Sequence, residues 1–166
     1  NIARQLALRH NYTEGLAKTL FITGNQCYKS NRYKEALAYY EEVLNLAGKS
    51  GDTLLQARCL ERLASVHLDT NDPNLSLKLY YQALPLFESV HNKEGIASVY
   101  NILGIYKTDL DEYDTAFIYF VKAMALNREI ENDHGLLQNK GNLAYLYEKQ
   151  GKTGEAEKIY LELIDG

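Results

Sequence analysis

The side chains best suited to chemistry in this sequence are two cysteines and four histidines: Cys27, Cys59, His10, His67, His91 and His134. A metal site or an activated nucleophile needs several such groups at compatible spacing. Here no histidine lies at ligand spacing from a cysteine or from another histidine. The sequence also lacks a nucleotide-binding glycine loop and a nucleophile elbow. We therefore predict no enzyme activity, no metal site and no cofactor.

The charge balance argues against two classes of partner. The formal net charge is -4 and the pI is about 5.6, whereas proteins that bind phosphate backbones usually carry a basic excess. The same balance disfavours an acidic membrane surface, and no run reaches the roughly 18 apolar residues of a membrane span. We expect no nucleic acid and no membrane contact. We also expect a cytoplasmic location, or a periplasmic one if the parent protein is a membrane-bound sensor.

The elements that position these side chains are predicted to be helices. The chain is 46% hydrophobic and 24% charged, and only 2 Pro and 11 Gly interrupt its 166 residues. Long stretches without a strong breaker favour an all-α fold over the frequent turns of a β protein.

A period of 40 residues runs through the whole sequence. Small residues recur at that interval, and twelve positions later a second small residue follows, with an aromatic residue four positions further on. The first set is Gly24, Ala64, Gly104 and Ala144; the second is Ala36, Ser76, Ala116 and Ala156; the aromatic set is Tyr40, Tyr80, Phe120 and Tyr160. Small residues let two helices approach closely, and the aromatic ring fills the space between them. Much of the count of 14 Tyr is thus assigned to the core, not to base stacking.

Each period contains a break, so each is predicted to form a helical hairpin. Asp52, Asn92 and Asn132 are N-cap residues in register, and Tyr12-Thr13 replaces them in the first period. Asp72 before Pro73 opens a second helix in the same way. The predicted first helices are 13–30, 53–69, 93–109 and 133–149, and the predicted second helices are 33–47, 73–90, 112–130 and 153–164.

The third period carries the most specific set of residues: Tyr100, Leu103-Gly104, Ala116, Phe120 and Ala123. This arrangement resembles the tetratricopeptide repeat, although Lys107 stands where that family has Tyr. The usual unit has 34 residues, and the 40-residue form is similar to repeats of cell-polarity scaffolds and of bacterial regulators. The resemblance implies an α-α superhelix, a right-handed solenoid of antiparallel helical hairpins. Stacking would bury the apolar faces of neighbouring hairpins in a continuous core.

The register divides residues 1–166 into one array of repeats. Residues 1–10 are predicted to be the end of a preceding repeat, because they align with the ends of later second helices. Complete repeats are expected at 12–51, 52–91 and 92–131, followed by an incomplete last repeat at 132–166. We expect a piece of a longer array, in which cut ends could drive self-association.

In the family, the first helices line a concave groove that holds peptides or helices of other proteins. Carried over by register, the groove-facing residues are Lys18, Phe21, Asn25, Arg58, Glu61, Arg62, Ser65, Asn101, Ile105, Gln138, Asn142 and Tyr145. The cations among the early members, together with the Asn25 amide, favour an acidic segment. The alternative is a mixed, solvated face, because Glu61 and Asp69 offset part of that charge.

One subfamily clamps the C-terminal carboxylate of chaperones with Lys, Asn and Arg side chains, and this sequence does not fit it. Only Asn25 matches, while the other four positions are Phe21, Arg62, Ser98 and Ile102. The resemblance instead implies a protein-protein interaction module whose groove binds a peptide or helix. The alternative is a regulatory or sensory segment of a bacterial signalling protein, attached to a kinase, cyclase or transcription regulator.

Overall fold

A computed structural model describes residues 2–164, with side chains described from residue 12 onward. Over this range the structure consists of helices joined by tight turns, which confirms the predicted all-α array of helical hairpins. The helices are α1 (Ile2–Lys29), α2 (Tyr33–Ser50), α3 (Thr53–Asp69), α4 (Pro73–Ser89), α5 (Lys93–Asp109), α6 (Tyr113–Glu129), α7 (Asp133–Lys149) and α8 (Thr153–Ile164). They form two compact units that meet in the sequence between Val90 and His91.

The helix starts follow the predicted capping residues. The side chains of Asp52, Asp72, Asn92 and Asn132 each accept a hydrogen bond from the backbone amide three residues later, at 2.7 to 3.2 Å. These bonds satisfy first-turn amides that have no partner within the helix. The starts and ends of α3, α5, α7 and α8 agree with the sequence prediction.

The first helix differs from the prediction. A break was expected at Tyr12-Thr13, but both residues lie inside α1, which is continuous from Ile2 to Lys29. The segment from Ile2 to Glu14 contains neither Gly nor Pro. Every residue of this segment therefore has a backbone N–H and a Cβ, so none of them forces the helix to end.

Every turn between helices places one residue in the left-handed conformation. These residues recur every 20 positions: Asn31, Gly51, Asn71, His91, Asp111, Glu131 and Gly151, with φ between 53° and 74°. In six of the turns, the residue that follows the left-handed one donates its backbone amide to the carbonyl of the residue five positions before it, at 2.7 to 3.0 Å. This is the Schellman arrangement, which satisfies carbonyls at a helix end.

Most of the repeated small and aromatic residues lie in the core of each unit, as predicted, but Tyr160 on α8 is 39% exposed. In the first unit Gly24 lies against Tyr40, and a Cβ at position 24 would lie 2.8 Å from the ring. In the second unit Gly104 faces Phe120 in the same way, and the distance would be 2.5 Å. Tyr40 and Phe120 are fully buried. At positions 24 and 104, glycine is thus required by the close approach of an aromatic ring to the backbone of the first helix.

Candidate functional site

The first unit contains an open depression between α1 and α3, with a volume of about 310 Å³. Its wall is mainly apolar, and cationic side chains contribute to it. The lining residues are Lys18, Phe21, Ile22, Asp52, Leu54, Leu55 and Arg58. Three of the residues predicted from the sequence, Lys18, Phe21 and Arg58, are therefore brought together here.

The two cations in the depression have different surroundings. Lys18 forms an ion pair with Glu14 at 2.5 Å, and this hydrogen bond raises the pKa of Lys18. Asp52 is engaged as the N-cap of α3, where it accepts from the Leu55 amide at 3.0 Å. Arg58 is exposed, and within the described residues it forms no ion pair. Arg58 is therefore the cation of this site whose charge is available.

Arg62 lies one helical turn beyond Arg58 on α3 and is half-buried. Its Nε is buried and has no hydrogen-bond acceptor among the described residues. Burial raises the pKa of Tyr40 to about 12, and the nearby Arg62 charge partly opposes that rise. The guanidinium thus lies near the core tyrosine with one donor unsatisfied.

Asn25 is engaged by the core, which the sequence did not reveal. Its Oδ1 accepts the hydroxyl proton of Tyr40 at 2.8 Å, and the ring of Phe21 lies 5.8 Å from the ring of Tyr40. In the second hairpin, Ser65 Oγ and the Tyr80 hydroxyl are 3.1 Å apart.

The third hairpin has Phe120 in place of the tyrosine, and there the residue after the small anchor is Ile105, which packs on the Phe120 cluster. In the first three hairpins, the residue one position after the anchor is thus polar where the core ring carries a hydroxyl and apolar where it does not; in the fourth, the Tyr160 hydroxyl instead donates to Glu148. This pairing of residue types was visible in the sequence and could have been used.

In the second unit, Asn101 is 4% exposed, which differs from the predicted groove position. Its Oδ1 accepts from both Asn139 Nδ2 and Asn142 Nδ2, each at 2.7 Å. Asn142 is half-buried above it. The carboxamide oxygen of Asn101 is therefore committed to the protein interior, and Asn142 is the part of this pair that reaches the surface.

The bonds to Asn101 belong to a longer chain of asparagines. Asn127 Nδ2 donates to Asn139 Oδ1 at 2.7 Å, and Asn132 Nδ2 donates to Asn127 Oδ1 at 2.9 Å. Asn132 is also the N-cap of α7. The network joins α5, α6 and α7 and satisfies polar groups that would be costly to bury alone. Sequence reasoning missed Asn127 and Asn139, because they show no 40-residue recurrence.

The remaining predicted residues of the second unit are dispersed over its surface. Tyr145 donates to Asp109 Oδ1 at 2.9 Å, and Lys149 Nζ lies 5.4 Å from the Tyr145 ring centroid. Gln138 is exposed on α7, and Ile105 is half-buried. Tyr145 thus links α7 to α5 in addition to presenting a ring.

The described residues offer few groups for catalysis. No group of three or more potential metal ligands occurs among them. Both cysteines are buried as free thiols, and burial raises the pKa of Cys59 to about 12, which suppresses the reactive thiolate. In the part of the chain that the structure covers, no helix has the length and apolar character needed to cross a membrane.

Comparisons with known proteins agree with this architecture. A family model described as tetratricopeptide repeat matches residues 15–89 and 95–166. The uncharacterized protein ycf37 of Guillardia theta is 32% identical over 96 residues, or 54% of this chain and 51% of that protein. The Homo sapiens protein named tetratricopeptide repeat protein 19, mitochondrial, is 26% identical over 127 residues, or 75% of this chain and 33% of that protein.

A solved structure gives the same result at the level of fold. The Rap protein complexed with competence and sporulation factor superposes with a TM-score of 0.76 and 17% identity, covering 89% of this chain and 42% of that one. By the two sequence matches above, the chain spans about half the length of ycf37 and about a third of the length of the human protein.

Proposed function

Because the chain belongs to the tetratricopeptide-repeat family, we propose that it is an interaction module that binds a segment of another protein. The proposed contact surface is the depression between α1 and α3 in the first unit. The observation that carries the proposal is an apolar depression of about 310 Å³ left open beside Arg58, which forms no ion pair with any residue that the structure describes. Concave, mainly apolar sites with a few polar groups are typical of ligand-binding sites.

Two features of the depression support this use. Ile22 is 58% exposed although it is a large apolar residue, and Phe21 and Leu54 extend the apolar wall around it. A bound segment would remove this surface from water, which favours association by about 25 cal/mol for each Å² buried. The Rap protein of similar fold was solved in complex with competence and sporulation factor, so this kind of fold can hold a factor. If the chain is instead a regulatory segment of a bacterial signalling protein, we propose that it uses the same surface.

The proposal can be tested with a photo-reactive amino acid at Ile22 and, as a matched control, at Tyr81. Tyr81 is also a large exposed side chain of the first unit, 45% exposed on α4. We expect cross-linking of a specific protein at position 22 only. The protein identified would then be purified, and its affinity for the chain would be measured by calorimetry.

Charge substitutions at the same two positions complete the test. Ile22→Glu should weaken the measured affinity at least tenfold, because it places a charge in the apolar wall, whereas Tyr81→Glu should leave it unchanged. Both side chains are exposed, so the thermal unfolding of both variants should match that of the wild type. Equal affinity of the wild type and Ile22→Glu would refute the proposed surface.

A further inference from the structure

The side of α6 that points away from the core carries a row of neighbouring apolar side chains. The buried residues of this helix recur at three or four positions: Ala116, Phe120, Ala123 and Asn127. On the other side, Phe117, Ile118 and Val121 are 41%, 52% and 44% exposed, and the exposed Ala125 follows one turn later. These four exposed residues are called the outer face of α6. Single exposed apolar residues are common, whereas neighbouring ones mark interaction sites.

The repeat register shows that the apolar character of the outer face is specific to α6. Ile118 stands at the position that Lys78 and Lys158 occupy in α4 and α8, and both lysines are exposed. Val121 corresponds to Glu41 of α2, which is exposed as well. The repeat therefore turns these positions toward solvent and accepts charged side chains there. The packing of a hairpin does not require apolar residues at 118 and 121.

Two residues of opposite charge flank the outer face. Asp114 lies in the first turn of α6 and Arg128 in the last turn, and both are exposed. Each is seven positions from Val121 (121−114 and 128−121), a spacing of about two turns that keeps all three on one side of the helix. Neither charge forms an ion pair with any residue that the structure describes. Both charges are therefore available to a partner.

We propose that the outer face of α6 binds the same face of a second copy of this chain, with the two helices antiparallel and crossing at Val121. A two-fold axis at this point places each residue opposite the one equally far beyond Val121. Asp114 then pairs with Arg128 of the second copy. Phe117 packs against Ala125 of the second copy, a large side chain against a small one. A parallel pair would bring like charges together, which disfavours it.

The strength of the association can be measured with the whole chain. A contact made by one helix from each copy falls below the roughly 1,200 Å² of total buried area that stable complexes need, so the dimer should be weak. Sedimentation velocity from about 1 μM to 1 mM, a range that covers weak complexes, should show a monomer–dimer equilibrium. Ile118→Lys should weaken it at least tenfold, whereas Ala38→Lys, at the same register position on α2, should leave it unchanged.

The Ile118→Lys variant should fold normally, because α4 and α8 already carry lysine at this position. Thermal unfolding at a concentration where the wild type is monomeric checks this. A variant that unfolds earlier there is replaced by Val121→Glu, which introduces the residue that α2 carries and should weaken the dimer equally.

Exchange of the flanking charges tests the antiparallel arrangement. Asp114→Arg or Arg128→Asp alone should weaken the dimer about tenfold at low salt, because each dimer then contains two contacts between like charges. The double variant with Asp114→Arg and Arg128→Asp again places opposite charges across the two-fold axis. It should therefore regain the affinity of the wild type.

Disulfide trapping tests the register directly. Val121→Cys should form a disulfide between two copies, whereas Glu41→Cys on α2 should not; the wild type is a further control, because both of its thiols are buried. A mixture of Phe117→Cys and Ala125→Cys should give the mixed dimer in preference to either homodimer. Homodimers in excess over the mixed dimer would refute the antiparallel register.

The remaining outcomes decide the inference independently of the depression in the first unit, because no other protein is present. A wild-type chain that stays monomeric up to about 1 mM would overturn the inference and leave the outer face to a different partner. Self-association that neither Ile118→Lys nor Val121→Glu weakens would assign the contact to another surface and refute the role of α6. A double charge variant that stays as weak as the single variants would refute the pairing of Asp114 with Arg128.

Discussion

The hydrogen bond between Tyr40 and Asn25 provides a stringent test of how the core constrains the surface. Tyr40 is fully buried, and its hydroxyl donates to Asn25 Oδ1 at 2.8 Å. Replacing Asn25 by Ile removes that acceptor and leaves a buried hydroxyl unpaired, which costs about 1–3 kcal/mol of unfolding free energy. Replacing Tyr40 by Phe removes the donor and leaves the half-buried Asn25 within reach of water, so we expect a loss of only about 0.5–1.5 kcal/mol.

The double variant is the informative one, because the third hairpin already contains its arrangement in Phe120 and Ile105. With neither the hydroxyl nor the amide present, the loss should be close to that of Tyr40→Phe alone. The two single effects should therefore not add, and the coupling free energy should equal the loss from Asn25→Ile in magnitude, about 1–3 kcal/mol. Urea unfolding followed by circular dichroism measures these differences, with the midpoint compared at constant slope. Additive losses would refute the assignment of Asn25 as a partner of the core ring.

The same residue gives the stability of the chain a defined pH dependence. Burial raises the pKa of Tyr40 to about 12, against about 10 for an unperturbed tyrosine. Because the folded pKa lies above the unfolded one, the contribution of the neutral hydroxyl is fully present below pH 10 and is lost as the pH rises from 10 to 12. The wild type should therefore lose more stability in that window than Tyr40→Phe, and parallel pH profiles would contradict the argument.

Three further predictions follow from the backbone and the interior. Gly135→Ala should destabilise the second unit by about 1–3 kcal/mol, because the new Cβ would lie 2.6 Å from Asn127 Oδ1. Gly141→Ala on the same helix is the control: its Cβ meets nothing within 4 Å, so it should stabilise the unit by about 0.5–1 kcal/mol. Urea unfolding that ranks the two variants in the opposite order would contradict the asparagine network. Glu131→Gly should stabilise by about 0.5–1 kcal/mol, since Glu131 has a φ of 53° that glycine adopts without strain, and a lower unfolding midpoint would disprove this. In a Cys27→Ser variant, Cys59 should react with a disulfide reagent at pH 8 at under about 1% of its rate in the unfolded chain, because its thiolate is buried and disfavoured; rapid native labelling would show that the site opens.

The elements of the fold could be predicted because their signals are local. A capping residue with a break before it marks the starts of α3, α4, α5 and α7. The anchor pattern of Gly24 with Tyr40 indicates which faces meet. The continuous α1 was missed because the 40-residue register placed a helix start at Tyr12-Thr13, while no Gly or Pro in the segment from Ile2 to Glu14 forces a break.

The details of the candidate site were less accessible to sequence reasoning. Whether Asn101 faces solvent or the interior depends on how far α7 is shifted along α5, and a period alone does not define that shift. The bond from Asn139 spans 38 residues, so no local spacing reveals it. Arg58 is exposed on α3, whereas the unsatisfied donor of Arg62 appears only when every neighbouring acceptor is known.

The left-handed residues at 20-residue intervals determine which changes of length the chain can tolerate. A residue inserted into one of the 17-residue helices would rotate every following side chain of that helix by about 100°. An insertion in α5 before Gly104 would turn Gly104 away from Phe120 relative to the start of the helix. An insertion after Gly104 would turn the following residues away instead. In contrast, an insertion at a turn such as that around Asp111 leaves both flanking helices in register. Natural variation in length is therefore expected at the turns, and helix lengths should stay fixed even where most side chains differ.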